Sequence, residues 1–109
     1  DQGGFSYAAA VGLVAARELR DRGLSFELAA AAARGLREEV SELIRDPERR
    51  SWLLLDDTDG VPACRIAPDP QTLIDAVRED DVVIQARPLA ERALAAIRDA
   101  KKAKREVAN

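Results

Sequence analysis

Two runs of helical periodicity meet at Arg22-Gly23-Leu24-Ser25, and this hinge constrains the first half of the chain more than any other feature. Before it, Tyr7, Val11, Val14 and Leu19 fall close to helical spacing, and Leu13 widens their apolar face. The pattern predicts a helix from about Ser6 to Arg22, stopped by Gly23, which can take the left-handed conformation that ends helices. After it, Ser25 is placed to cap a second helix, and Glu27 suits the positive end of that helix's dipole. Leu28, Ala32, Leu36, Val40, Leu43 and Ile44 form its stripe, and Pro47 closes it. Residues 1–47 are therefore expected to fold as a helical hairpin.

The second half changes period. Trp52-Leu53-Leu54-Leu55 reads as a short strand, Asp56 to Gly60 as a turn and Val61 to Ala67 as a return strand. Asp69 and Pro70 then supply a cap and a first-turn proline for a helix through Val77 or Arg78, with Leu73, Ile74 and Val77 on its apolar side. Asp80-Asp81 break that helix. The β-branched run Val82-Val83-Ile84 predicts a third strand beside the hairpin. Pro88 opens a last helix, whose face carries Leu89, Ala93, Ala96, Ile97 and Ala100, broadened by Leu94. The pattern fades into the basic stretch Lys101 to Arg105. The expected class is α+β: two N-terminal helices, then a small three-stranded sheet with two further helices, in one domain over 1–109 with residues 51–109 as its α/β portion.

Composition narrows the function classes. At 109 residues the chain fits one domain, and with aromatics at only 4% its core must come from Leu, Val, Ile and Ala. A net charge of −3 disfavours nucleic-acid affinity spread over the whole surface. Cys64 has no second cysteine to bridge, which predicts a reducing, cytoplasmic setting. The apolar stretch Tyr7 to Ala16 is too short for a bilayer, so no membrane association is expected. The chain opens at Asp1 and contains no Met, which predicts a fragment of a longer protein.

Catalysis finds little support. With no His, a general base would have to be a carboxylate, a Lys or Cys64, and no Ser or Cys occupies a nucleophile motif. Asp56-Asp57-Thr58-Asp59-Gly60 resembles a cation-binding loop only superficially. Aligning Asp57, Asp59 and Gly60 with a calcium loop puts Leu55 at its first position and Ile66 at its last. A polar hairpin turn accounts for those residues, and Cys64 reads as a small strand residue rather than a reactive thiol. No enzyme, metal or cofactor is expected; a carboxylate-dependent hydrolase is the outlying alternative.

Noncovalent surfaces remain. Arg17, Arg20 and Arg22, with Arg34 and Arg37, form a candidate phosphate-facing patch, and Lys101, Lys102, Lys104 and Arg105 form a second basic set. The plainer reading is solvated helix surface, diluted by Glu18, Asp21, Glu38 and Glu39 and laced by pairs such as Arg34 with Glu38. Gly35, beside the run Ala29 to Ala33, predicts close packing by a neighbour, which would compensate a helical cost of about 1 kcal/mol. Ala32, Leu89, Leu94 and Ile97 are candidate interface residues, with core burial as the competing reading.

Gly4-Phe5-Ser6-Tyr7, Val11, Leu19 to Phe26 and Leu36 resemble the second helical half of MerR-like DNA-binding domains and of the related bacterial antitoxins. The resemblance covers about residues 4–43. It implies a bacterial transcription regulator or antitoxin that works as a homodimer or with a protein partner such as a toxin. The DNA-reading helix-turn-helix of that family would precede Asp1, so this chain should bind DNA poorly by itself. Ala8-Ala9-Ala10 stands where many relatives carry acidic residues, and the α/β portion replaces the long coiled-coil helix of typical regulators, which favours the antitoxin-like version. The alternative is a stand-alone protein-interaction module.

Overall fold

The computed structural model describes residues 6–108. Gly4 and Phe5, which contribute to the family resemblance, lie outside the described residues. Ser6 caps α1 (Tyr7–Asp21) by accepting a hydrogen bond from the Ala9 N–H at 3.1 Å. The helix ends at Gly23, whose φ of 103° is costly for any residue with a Cβ. Ser25 caps α2 (Phe26–Arg45) through the Leu28 N–H. The hinge therefore works as its residue types predict, with a left-handed stop followed two residues later by a hydroxyl cap.

The chain then forms β1 (Trp52–Asp56), a 3-10 turn (Thr58–Gly60) and β2 (Ala63–Ala67). Asp69 caps α3 (Pro70–Ala76), accepting from the Thr72 N–H at 2.8 Å. β3 (Val82–Gln85) leads directly into α4 (Ala86–Ala108). The sheet has the order β2-β1-β3, with both pairings antiparallel, so the class is α+β with two helices before the sheet and two among and after its strands. Opposite partners include Leu53 with Ile66 and Ile84, and Leu54 with Arg65 and Val83.

Strand alternation divides the sheet into two environments. Leu53 and Leu55, with Cys64, Ile66 and Ile84, join the core formed by α1, α2 and α4. Leu54 points to the opposite face, yet it is fully buried there. On that face Arg65 donates to the Ala76 carbonyl at 2.7 Å and to the Asp81 carboxylate at 2.6 Å, tying the end of α3 and the turn before β3 to the sheet. The three consecutive leucines of β1 are buried on both faces because β1 is the central strand.

α2 lies at the centre of the helical layer, against the sheet, α1 and α4. Gly35 is what lets it approach. A Cβ there would overlap the Cys64 sulfur and sit 3.6 Å from Leu53 Cδ2, so the close neighbour of the Ala-rich helix is the chain's own sheet. On its other side Gly12 of α1 meets the Ala33 carbonyl, where an added Cβ would be 3.0 Å from the oxygen.

Several expected core positions turn outward. Tyr7 and Leu13 on α1, and Ile44 on α2, are exposed, while Gly12 and Ala15 occupy the buried face of α1 instead. On α4 the buried set is Ala86, Leu89, Ala90 and Ala93; Ala96 and Ala100 face solvent. On α1 small residues take the buried face because this helix crosses α2 closely at Gly12, leaving no room for a leucine or tyrosine at the crossing. Glu39, expected on the surface, is buried at 3% exposure and held by Arg49 through bonds of 2.5 and 3.0 Å.

Candidate functional site

An open concavity lies on the outer side of the α1–α2 hairpin. Its lining positions on α1 recur at intervals of three and four from Ala9 to Arg20, and those on α2 repeat the same spacing from Phe26 to Arg37. Each helix thus carries a second stripe beside the one it buries, and the two stripes face a common groove of about 460 Å³. The floor is made by Gly12, Ala16, Ala30 and Ala33, whose small side chains leave the space open. Leu13 and Phe26 stand in its walls with 54% and 68% of their surfaces exposed. A phenylalanine and a leucine left exposed beside an alanine floor form an apolar patch that no other element among the described residues covers.

Arg17 and Arg20 from α1 and Arg34 and Arg37 from α2 rim this groove. None of them is in an ion pair among the described residues; Arg20 Nη1 donates to the Leu24 carbonyl at 3.0 Å and so braces the hinge. The expected Arg34–Glu38 pair is not formed. Two of the acids expected to dilute the patch are engaged elsewhere. Glu18 receives both Arg92 at 2.9 and 2.7 Å and Arg22 at 3.0 Å, while Glu39 is committed to Arg49. The Arg92 hydrogen bonds, partly opposed by burial, hold the Glu18 carboxyl below its ordinary range, so it stays an anion bound to those partners.

The other basic residues do not join this patch. Arg22, expected to act with Arg17 and Arg20, is outside the groove in its pair with Glu18. Lys101 lies over the Tyr7 ring, 5.0 Å from its centroid, which places the α4 tail at the start of α1. Lys102, Lys104 and Arg105 are exposed on the same tail. From Tyr7 to Arg22 α1 rises about 22 Å, so the tail and the end of α1 do not form one continuous phosphate track.

Ala32 and Leu89, expected as candidates for an interface, are fully buried in the chain's own core and offer no surface to a partner. Leu94 and Ile97 are half-buried against the core; Leu94 also lines a shallow groove with Ile44 between α2 and α4. The aspartate-rich turn does not converge on a common point. Asp56 is turned inward, its carboxylate 3.5 Å from Arg65, while Asp57 and Asp59 are exposed, and the described residues contain no acidic, His or Cys cluster with metal-binding geometry. Burial pushes the Cys64 thiol up to about 11, so at neutral pH it is protonated and a poor nucleophile.

No family model, curated protein or solved structure matches this chain. The groove therefore has to be interpreted from its own chemistry. The sequence alone displays the groove's arginines but not its walls: Leu13 fits the core stripe, and Phe26 has no role beyond the hinge resemblance. The signal was present in the doubled periodicity of both helices, because Leu13, Ala16, Arg17 and Arg20 repeat at helical spacing beside Val11, Ala15 and Leu19.

Proposed function

We propose that this chain is a noncatalytic, partner-binding protein of the bacterial regulatory or antitoxin type, and that the α1–α2 groove is its contact surface. The observation that carries this reading is the exposure of Leu13 and Phe26 over a small-residue floor between arginines that have no ion-pair partner among the described residues. Apolar side chains retained at the mouth of an open groove provide affinity when a partner covers them, and the surrounding arginines orient that partner. The antitoxin-like version suits this arrangement best, because neutralising a protein partner requires a docking face and no chemistry. DNA contact is assigned a minor role, since the exposed basic tail and the groove are separate surfaces.

A photoreactive phenylalanine analogue at position 26, introduced in the cells that encode the chain, tests the reading. The expected result is a discrete adduct that is lost when Leu13 is changed to Asn and is not formed from the same group at Thr58. Equal labelling from positions 26 and 58, or no adduct from position 26, would overturn it.

A further inference from the structure

We infer that the occupant of the groove is an amphipathic α-helix from a partner protein, with an apolar stripe about three turns long and carboxylates near both of its ends. This rests on the groove being a contact surface and goes on to specify what it contacts. The first argument is shape. The lining stripes run from Ala9 to Arg20 and from Phe26 to Arg37, each about 16 Å of helix. A partner helix laid along them would pack against both, its larger apolar side chains filling the space above Gly12, Ala30 and Ala33. The backbones of α1 and α2 are already hydrogen-bonded within their helices, so the groove has no free edge to pair with an extended strand. A helix brings its own backbone hydrogen bonds and needs none.

The second argument is charge and its position. Gly12 faces Ala33, and the four-residue hinge folds α2 back along α1. This crossing places Arg17 and Arg20 toward the hinge, beside Phe26, and Arg34 and Arg37 toward the opposite end, beside Ala9. Cations therefore stand at both ends of an apolar middle. They are segregated against the charge of the whole molecule: without these four, the chain's 17 basic residues fall to 13 against 20 acidic ones, a remainder of −7. A partner with acidic ends is attracted to this face. A nucleic-acid backbone matches the arginines but not the floor, because phosphates pressed against Leu13, Phe26 and alanines would lose water without gaining a hydrogen bond.

The test uses the whole chain and two labelled synthetic helices of about 16 residues, long enough to span the stripes. Both carry the same Leu and Ala stripe; one has Glu at its ends and the other Lys. By fluorescence anisotropy the acidic peptide should bind at least about tenfold more tightly than the basic one, with the preference shrinking as salt rises. Arg17→Gln combined with Arg34→Gln should remove most of the preference, and Leu13→Asn should weaken binding, while circular dichroism reports an unchanged fold for each variant. Equal affinity for the two peptides would overturn the charge assignment. Binding of neither peptide, or displacement of the acidic peptide by a mixed-sequence DNA duplex, would overturn the helix assignment. Either failure together with a Leu13-dependent adduct from position 26 would leave the groove a contact surface with a different occupant.

Discussion

At the scale of single residues, the packing of the centre rests on one missing Cβ. Gly35 should cost α2 about 1 kcal/mol in helix propensity relative to Ala, yet alanine would meet the Cys64 sulfur. Gly35→Ala should therefore destabilise the chain by about 1–3 kcal/mol despite the propensity gain, as overpacking does. In a Cys64→Ala background the nearest side-chain atom becomes the β-carbon at 3.3 Å, and the same change should become much less harmful. Urea unfolding of the four proteins gives the coupling directly; strict additivity would show that the contact does not set the distance between helix and sheet. Leu13 and Phe26 behave in the opposite way. Because neither is buried, changing either to Asn should shift stability by no more than about 0.5 kcal/mol, although both are large apolar residues.

Among the elements, the junction of α2 with the sheet depends on Arg87. Its guanidinium donates to the carbonyls of Arg49 at 3.0 Å, Leu43 at 3.2 Å and Asp46 at 2.7 Å, satisfying backbone groups that the end of α2 leaves open. Arg87→Ala should cost roughly 1.5–3 kcal/mol, with hydrogen exchange accelerating first at the last turn of α2; a loss under 0.5 kcal/mol would mean that water replaces the arginine at no cost. Element positions were largely legible in the sequence because the starts of the first three helices and the stop of α1 are marked by residues with one strong local preference: Ser6, Gly23, Ser25, Asp69 and Pro70 all act where their chemistry places them, whereas α4 starts at Ala86, two residues before the expected Pro88. Long-range choices were less legible. Nothing local indicates that Arg87 reaches back to α2, that Glu39 turns inward to Arg49, or that Gly12 rather than Leu13 occupies the helix crossing. Those outcomes depend on which surfaces meet, and a periodic stripe with two usable faces fits either choice. The arginines of the groove were visible for the same reason that its floor was not: charge is a property of a residue, whereas concavity is a property of two helices together.

The whole molecule has a simple acid response. Hydrogen bonds from Arg92 lower Glu18. For Asp81, burial acts to raise the carboxyl, but the Arg78 N–H and the Arg65 guanidinium outweigh it and leave it below its ordinary range. A carboxyl that is more acidic in the folded state than in the unfolded one contributes fully above its unfolded pKa, and that contribution disappears as pH falls through the folded value. The chain has no His and Cys64 is pushed up to about 11, so stability should be flat from about pH 8 to pH 5 and then decline in acid. Arg92→Gln and Arg65→Gln should each flatten the acid decline in thermal melts; a transition centred near neutral pH would contradict this charge assignment. The central claim, that the fold leaves an apolar, cationic groove open for a partner, is tested most directly by titration with anilinonaphthalene sulfonate, an apolar anion, at neutral pH. Native protein should give saturable, single-site fluorescence that is lost in the Leu13→Asn, Phe26→Asn double variant with near-ultraviolet circular dichroism unchanged. No binding, or equal binding by the variant, would contradict the account.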